Sequence, residues 1–250
     1  MPAKKKGVRV PKKKLAIFDV DGTIFRSSLL IELVKGLIAE NVFKPEVADL
    51  YARAYEKWQN REGEYQAYLD ILVAAFRKNL AGVHYRDLRR VAYKVVAAHR
   101  GRTYRYTRDL VRDLKARGYY ILAVSHSPKI VLEAFAKSLG FSKVYGIMYE
   151  TDKPGLEGRF TGNILFPEIV MQKDKLVRRT LEGTSAGGGS GSGFTLRGSI
   201  GVGDTESDVP FLELVERAIC FNPNAKLYRE ARRRGWEVVV ERKDVIYKVQ

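Results

Sequence analysis

Leu15-Ala16-Ile17-Phe18-Asp19-Val20-Asp21-Gly22-Thr23 is the stretch whose reading decides the fold. The apolar run reads as a buried strand, and Gly22 lets the backbone turn sharply where that strand ends. Two carboxylates two residues apart at a strand-to-turn junction can both face the mouth of a sheet. Such a pair holds a divalent cation and leaves one carboxylate free to attack phosphorus. Matching features follow downstream: Ser125 after the apolar run 120–124, Lys173 at a helix start, and Gly203-Asp204 with Asp208 after the apolar run 199–202.

The periodicity around this stretch divides the chain. Residues 15–20 read as the first strand, and from 27 to about 102 the pattern is helical. Ser27-Ser28 opens a helix to about residue 40. Pro45-Glu46 opens a second, with Leu50, Tyr51, Ala54, Tyr55 and Trp58 on one stripe, and a third and fourth cover 64–80 and 85–99. Four helices with no strand between them predict a helical cap domain over 26–102, inserted into a core of 15–25 and 103–250. The core alternates: helix 107–117, strand 120–125, a helix capped by Ser127 with Pro128 in its first turn, strand 144–149, a turn or hairpin over 152–163, and a helix over 168–182. Strands at 199–202, 218–221 and 237–240 enclose a helix over 224–234. This alternation predicts an α/β fold.

Composition narrows the class. The chain has 250 residues, 45% of them hydrophobic, enough for a sizeable core. The single cysteine, Cys220, excludes an internal disulfide and a cysteine-rich zinc site. A cytoplasmic setting is expected: no apolar run reaches the length of a membrane span, and the run after the basic N-terminus is too short for a signal peptide. The net charge is +16, and residues 1–14 supply +7 of it through Lys4, Lys5, Lys6, Arg9, Lys12, Lys13 and Lys14. This segment reads as a flexible, solvated tail, or alternatively as an electrostatic contact for nucleic acid or anionic lipid. The excess charge also favours an anionic, phosphorylated substrate. Residues 183–193 are Gly/Ser-rich and read as a flexible loop within the core.

Each candidate residue type suits a step of phosphoryl transfer. Asp19 is the nucleophile candidate, giving an acyl-phosphate that divides one displacement into two. Asp21 is placed to protonate the leaving group and then to activate water. Ser125 can donate to a phosphoryl oxygen, and Lys173 can offer positive charge, with Lys175 as its rival. Asp19, the Asp21 carbonyl and Asp204 supply hard oxygen ligands suited to Mg²⁺, and Asp208 can orient the lysine or a bound water. Gly22, Thr23 and Gly203 shape the turns. His126, Ser28 and Glu32 are weaker candidates for substrate contact. The cap tyrosines at helical spacing read as packing.

Together these residues resemble the haloacid dehalogenase-like hydrolase superfamily, in its phosphoserine-phosphatase-like branch with a helical cap after the first motif. The motifs are Asp19-Val20-Asp21-Gly22-Thr23, Val124-Ser125, Lys173 followed by Leu176-Val177, and Gly203-Asp204-Thr205-Glu206-Ser207-Asp208. Asn222-Pro223-Asn224 with Gly235-Trp236 is similar to the branch's closing segment. The resemblance implies a Rossmann-like three-layer core with a parallel sheet, Mg²⁺, an aspartyl-phosphate intermediate and hydrolysis of a small phosphomonoester. Phosphotransfer to an alcohol through the same intermediate, or action on a nucleic-acid end through the basic tail, are the alternatives. Members that act on phosphoserine carry a substrate-binding glutamate nine residues after the nucleophile. Here that position is Ser28, with Glu32 the nearest acid, so a substrate other than phosphoserine is expected. His126 replaces a residue that is usually small.

Overall fold

The computed structural model describes residues 12–182 and 193–249. Most of the basic tail and nearly all of the Gly/Ser segment therefore lie outside the described residues. In chain order the elements are β1 (Lys13–Phe18), α1 (Leu29–Ala39), α2 (Asp49–Gln59), α3 (Tyr65–Leu80), α4 (Tyr85–His99), α5 (Arg105–Ala116), β2 (Tyr120–Pro128), α6 (Lys129–Leu139), β3 (Lys143–Ile147), β4 (Tyr149–Thr151), β5 (Phe160–Ile164), α7 (Pro167–Val170), α8 (Lys173–Glu182), β6 (Phe194–Gly203), α9 (Val209–Leu212), β7 (Arg217–Phe221), α10 (Ala225–Arg234), β8 (Glu237–Arg242) and β9 (Val245–Val249).

Seven strands form one sheet in the order β3-β2-β1-β6-β7-β8-β9, parallel except for β9, which pairs antiparallel with β8. β1 lies inside the sheet, and its alternate side chains serve both faces. Leu15 and Ile17 pack with Leu176, Phe211 and Leu227 from α8–α10. Ala16 and Phe18 pack with Val111, Val131 and Phe135 from α5 and α6, and this core continues without interruption into α1, α3 and α4. The result is the three-layer Rossmann-like α/β fold expected. The chain steps outward from β1 through β2 to β3, then returns to the other side of β1 as β6. That reversal opens a crevice beyond the carboxyl ends of β1, β2 and β6, the place where open α/β sheets bind ligands.

The structure departs from expectation in local ways. Lys13 and Lys14 belong to β1, paired with Phe194 and Thr195 of β6, because their exposed side chains leave the backbone free to extend the sheet. Ser127 does not cap α6: β2 runs on to Pro128, which holds the N-cap position itself, and the Ser127 amide donates to Ser125 Oγ at 2.9 Å. The helix expected over 168–182 breaks between α7 and α8, which makes Lys173 the first residue of α8. On α2 only Tyr51 is buried, whereas Leu50 and Tyr55 are exposed. The hairpin of β4 and β5 packs on the helical segment, with the Gly82 amide donating to Phe160 O and the Tyr85 amide to Gly158 O, both at 2.8 Å. β9 has no counterpart in the sequence reading.

Candidate active site

Asp19 leaves the end of β1 and is buried in the crevice. Lys173, buried at the start of α8, donates from Nζ to Asp19 Oδ1 at 2.7 Å and to Asp208 Oδ1 at 2.6 Å. Lys175, its rival in the sequence, is exposed. Asp208 is wholly buried, and its Oδ2 accepts the backbone amides of Asp204 and Thr205 at 3.0 and 3.1 Å. Asp208 thus fixes both the lysine and the loop after β6. The Asn224 amide, at the start of α10, donates to Asp204 O at 2.9 Å and closes that loop from the other side.

Asp21 faces elsewhere. Its Oδ2 accepts from Ser125 Oγ at 2.5 Å and its Oδ1 from the Leu29 amide at 2.5 Å. A carboxylate at the first turn of a helix is favoured by the free amides there, so α1 begins on Asp21 and no side-chain cap comes from Ser28. Ser125 therefore holds Asp21 and accepts the Ser127 amide, a tighter arrangement than the phosphoryl contact expected of it. Gly22 has φ of +78°, and a Cβ there would lie 2.1 Å from Asp204 Oδ2. Only glycine meets both demands. Thr23 is buried and reaches Asp204 Oδ1 at 3.4 Å.

The electrostatics follow from this crowding. Burial pushes the Asp19 carboxyl up to about 7, against the pull of Lys173 and with the help of Asp208 and Asp21. Burial likewise holds Asp204 well above the usual carboxylate range, with Asp19 and Asp208 adding to it. Lys173 is raised because Asp19 and Asp208 outweigh its burial. Carboxyl groups so strained by one another call for a cation. Oxygens of Asp19, Asp204 and Asp208 lie within 4.8 Å of one another. The oxygens of Asp208 are already engaged, while Asp19 Oδ2 is buried without a hydrogen-bond partner among the described residues. Asp19 and Asp204 thus remain as hard oxygen donors, a set that fits Mg²⁺.

A cavity of about 270 Å³ opens over these groups. Its floor includes Asp19, Asp21, Gly22, Lys173 and Asp204, and its roof comes from α1 and α3 through Leu30, Tyr65, Leu69, Asp70 and Val73. Ser28 and His126 line it. His126 Nε2 is buried without a hydrogen-bond partner among the described residues, and burial together with Lys173 lowers the imidazole to about 4, so it stays neutral. Glu32 is absent from this cavity. It is buried behind it, accepting from Ser27 Oγ and from Arg102 Nη1, each at 2.9 Å. The roof residues escaped the sequence reading. Their signal was present: α3 carries a buried stripe of Tyr68, Leu72 and Phe76, and Tyr65, Leu69 and Val73 form a second apolar row beside it, more than one buried face requires.

The sequence pattern of the haloacid dehalogenase-like hydrolases matches residues 16–213. The chain belongs to that family. It is 27% identical over 236 residues to phosphoserine phosphatase SerB1 of Mycobacterium tuberculosis, covering 89% of this chain and 69% of that protein. It is 26% identical over 237 residues to a histidinol-phosphatase of Neisseria meningitidis, covering 91% and 98%. Among solved structures it is similar to a Bordetella pertussis protein of unknown function, with a TM-score of 0.68 at 22% identity over 91% of this chain and 98% of that one. It also resembles phosphoserine phosphatase in its apo form, with a TM-score of 0.60 at 16% identity over 93% and 96%.

Proposed function

We propose that this phosphatase of the haloacid dehalogenase-like family hydrolyses a small phosphomonoester through a phosphoryl group carried on Asp19. The observation that carries the reading is the asymmetry of Asp19, which lines the cavity: Oδ1 is clamped by Lys173, while Oδ2 is buried without a hydrogen-bond partner among the described residues. Oδ2 attacks phosphorus in line with the ester oxygen, and the P–O ester bond breaks as the Oδ2–P bond forms. Asp21 acts as the general acid that supplies a proton to the departing alkoxide. As carboxylate it then takes a proton from the water that attacks the acyl-phosphate, which releases inorganic phosphate and restores Asp19. Ser125 and the Leu29 amide hold Asp21 for both transfers. A Mg²⁺ ion held by Asp19 and Asp204 would neutralise charge on the phosphoryl group.

The helices over 26–102 act as a cap over this chemistry, and α1 links the two by starting on Asp21. The relatives named for phosphoserine and histidinol phosphate support a small phosphorylated substrate. Lys173 is the only cation lining the reaction cavity among the described residues, and two carboxylates already occupy it. The carboxylate of phosphoserine would find no free cation there, and Ser28 at the expected glutamate position takes away a partner for its ammonium. The test is release of inorganic phosphate from a panel of phosphomonoesters with Mg²⁺. The wild type should turn over at least one of them, and Asp19→Asn none while keeping its fold. Wild-type rates in Asp19→Asn would overturn the reading.

A further inference from the structure

A second cavity, of about 440 Å³, adjoins the first and meets it at Gly22 and Tyr65. Its size is that of an ordinary ligand site. Its lining is of a different kind. Arg26, Lys35 and Arg102 bring three cations, and Tyr55, Trp58 and Tyr65 bring aromatic faces. One carboxylate, Glu32, is shared by Arg102 at 2.9 Å and Lys35 at 3.9 Å. Arg26 is exposed, lies over the Tyr104 ring at 5.6 Å, and has no carboxylate within ion-pair distance among the described residues. The mouth of this cavity is therefore positive, whereas the reaction cavity is acidic.

The wall also holds an unanswered donor. Tyr68 is 1% exposed, and its hydroxyl has no hydrogen-bond partner among the described residues. It lines this cavity beneath Trp58, with the two rings parallel at 5.8 Å. A buried hydroxyl without a partner is costly, so Tyr68 offers a hydrogen-bonding group to whatever fills this wall.

We propose that this second cavity is a substrate subsite that takes the planar ring and a further anionic group of a phosphomonoester whose reacting phosphoryl group lies at Asp19, the chemistry of a nucleotide carrying two phosphates. The inference rests on the phosphatase reading above. The ring stacks on Trp58 and Tyr55, contacts that tolerate any base. The second anion meets Arg26 and Arg102, and a polar edge of the ligand answers Tyr68. Tyr65, common to both cavities, is the post around which the substrate bends. A free nucleoside bisphosphate and the 5′-phosphorylated end of a short oligonucleotide present the same chemistry.

The experiment compares kcat/KM with Mg²⁺ for adenosine 3′,5′-bisphosphate, a 5′-phosphorylated dinucleotide, glycerol phosphate and phosphoserine. It adds calorimetric binding of the bisphosphate to the Asp19→Asn protein. The ring-bearing anions should lead by at least about tenfold, and Arg26→Ala should reduce that lead, and the bisphosphate affinity, by about tenfold. Tyr68→Phe should weaken binding while leaving the free protein as stable as before or more so, a pairing that a merely structural tyrosine would not give. Whichever of the bisphosphate and the dinucleotide leads identifies the source. Hydrolysis of glycerol phosphate with no nucleotide preference, or a preference indifferent to both substitutions, would overturn the subsite and leave the phosphatase reading intact. Arg26-dependent binding without turnover of any ester would do the reverse.

Discussion

The floor and the roof of the reaction cavity are built on opposite principles. The floor is dense with hydrogen bonds: Asp208 accepts three, Asp21 two, and Lys173 is locked between two carboxylates. Its side chains leave strand ends or a helix start, where the backbone itself is fixed. The roof is made of Leu30, Tyr65, Leu69 and Val73 on helices, held by packing rather than by directed bonds. Directed bonds fix the positions of reacting atoms to fractions of an ångström, as catalysis requires. Packing among buried and half-buried apolar side chains tolerates volume-conserving substitution, which is what a specificity surface requires.

The contrast predicts graded effects. The largest belongs to Lys173→Ala. Removing the ammonium leaves Asp19 and Asp208 buried against each other, which costs about 3–5 kcal/mol of stability and should lower kcat by ~1,000-fold or more. Lys175→Ala should match the wild type in both melting temperature and kcat, and equal loss in the two variants would erase the distinction drawn between them. Next comes Gly22→Ala, in which the added carbon meets Asp204 and the left-handed backbone is strained. It should weaken Mg²⁺ activation and cost ~100-fold in kcat. A Gly22→Ala enzyme with normal Mg²⁺ dependence would show that Asp204 does not need its present position.

A metal-free floor should also announce itself through pH. The Asp19 carboxyl rises from an ordinary value of 3.8 to about 7 in the fold, so the folded chain binds more protons than the unfolded one between those values. The stability this carboxyl contributes is full below 3.8 and is lost as pH rises through 7. A Mg²⁺ ion held by Asp19 would take the proton's place. Its addition should raise the melting temperature by about 5 °C at pH 8 and much less at pH 5, and an equal shift at both would detach the metal from these carboxylates. The smallest effects belong to the roof. Leu69→Ala or Val73→Ala should redistribute kcat/KM among substrates by about tenfold and leave the Mg²⁺-induced shift unchanged. A roof substitution that altered the metal response would break the division between the two surfaces.

The same division explains what the sequence disclosed. Asp19, Asp204 and Ser125 follow apolar runs that only strands explain, so parallel topology brings them to one edge whatever lies between. Lys173 was recoverable because Leu176 and Val177 mark the buried side of its helix. Asp21 lines the cavity, but its bonds to Ser125 and to the Leu29 amide arise from a turn that Gly22 makes and no spacing encodes. Glu32 illustrates the limit. It stands one turn beyond the position of interest, and Ser27 together with Arg102, seventy residues later in the chain, holds it behind the cavity. Roof residues carried only the weaker signal of a second apolar row, because a helix displays many such rows and only tertiary contact decides which remains open.

The most direct test is to trap the phosphoryl enzyme. Mixing the wild type with Mg²⁺ and a turned-over phosphomonoester, quenching in acid within the first turnover and sequencing by mass spectrometry should place one phosphoryl group on Asp19, labile to hydroxylamine as an acyl-phosphate is. The account predicts that modification and its absence in Asp19→Asn. Phosphoryl transfer to any other side chain, or full turnover by Asp19→Asn, would contradict it.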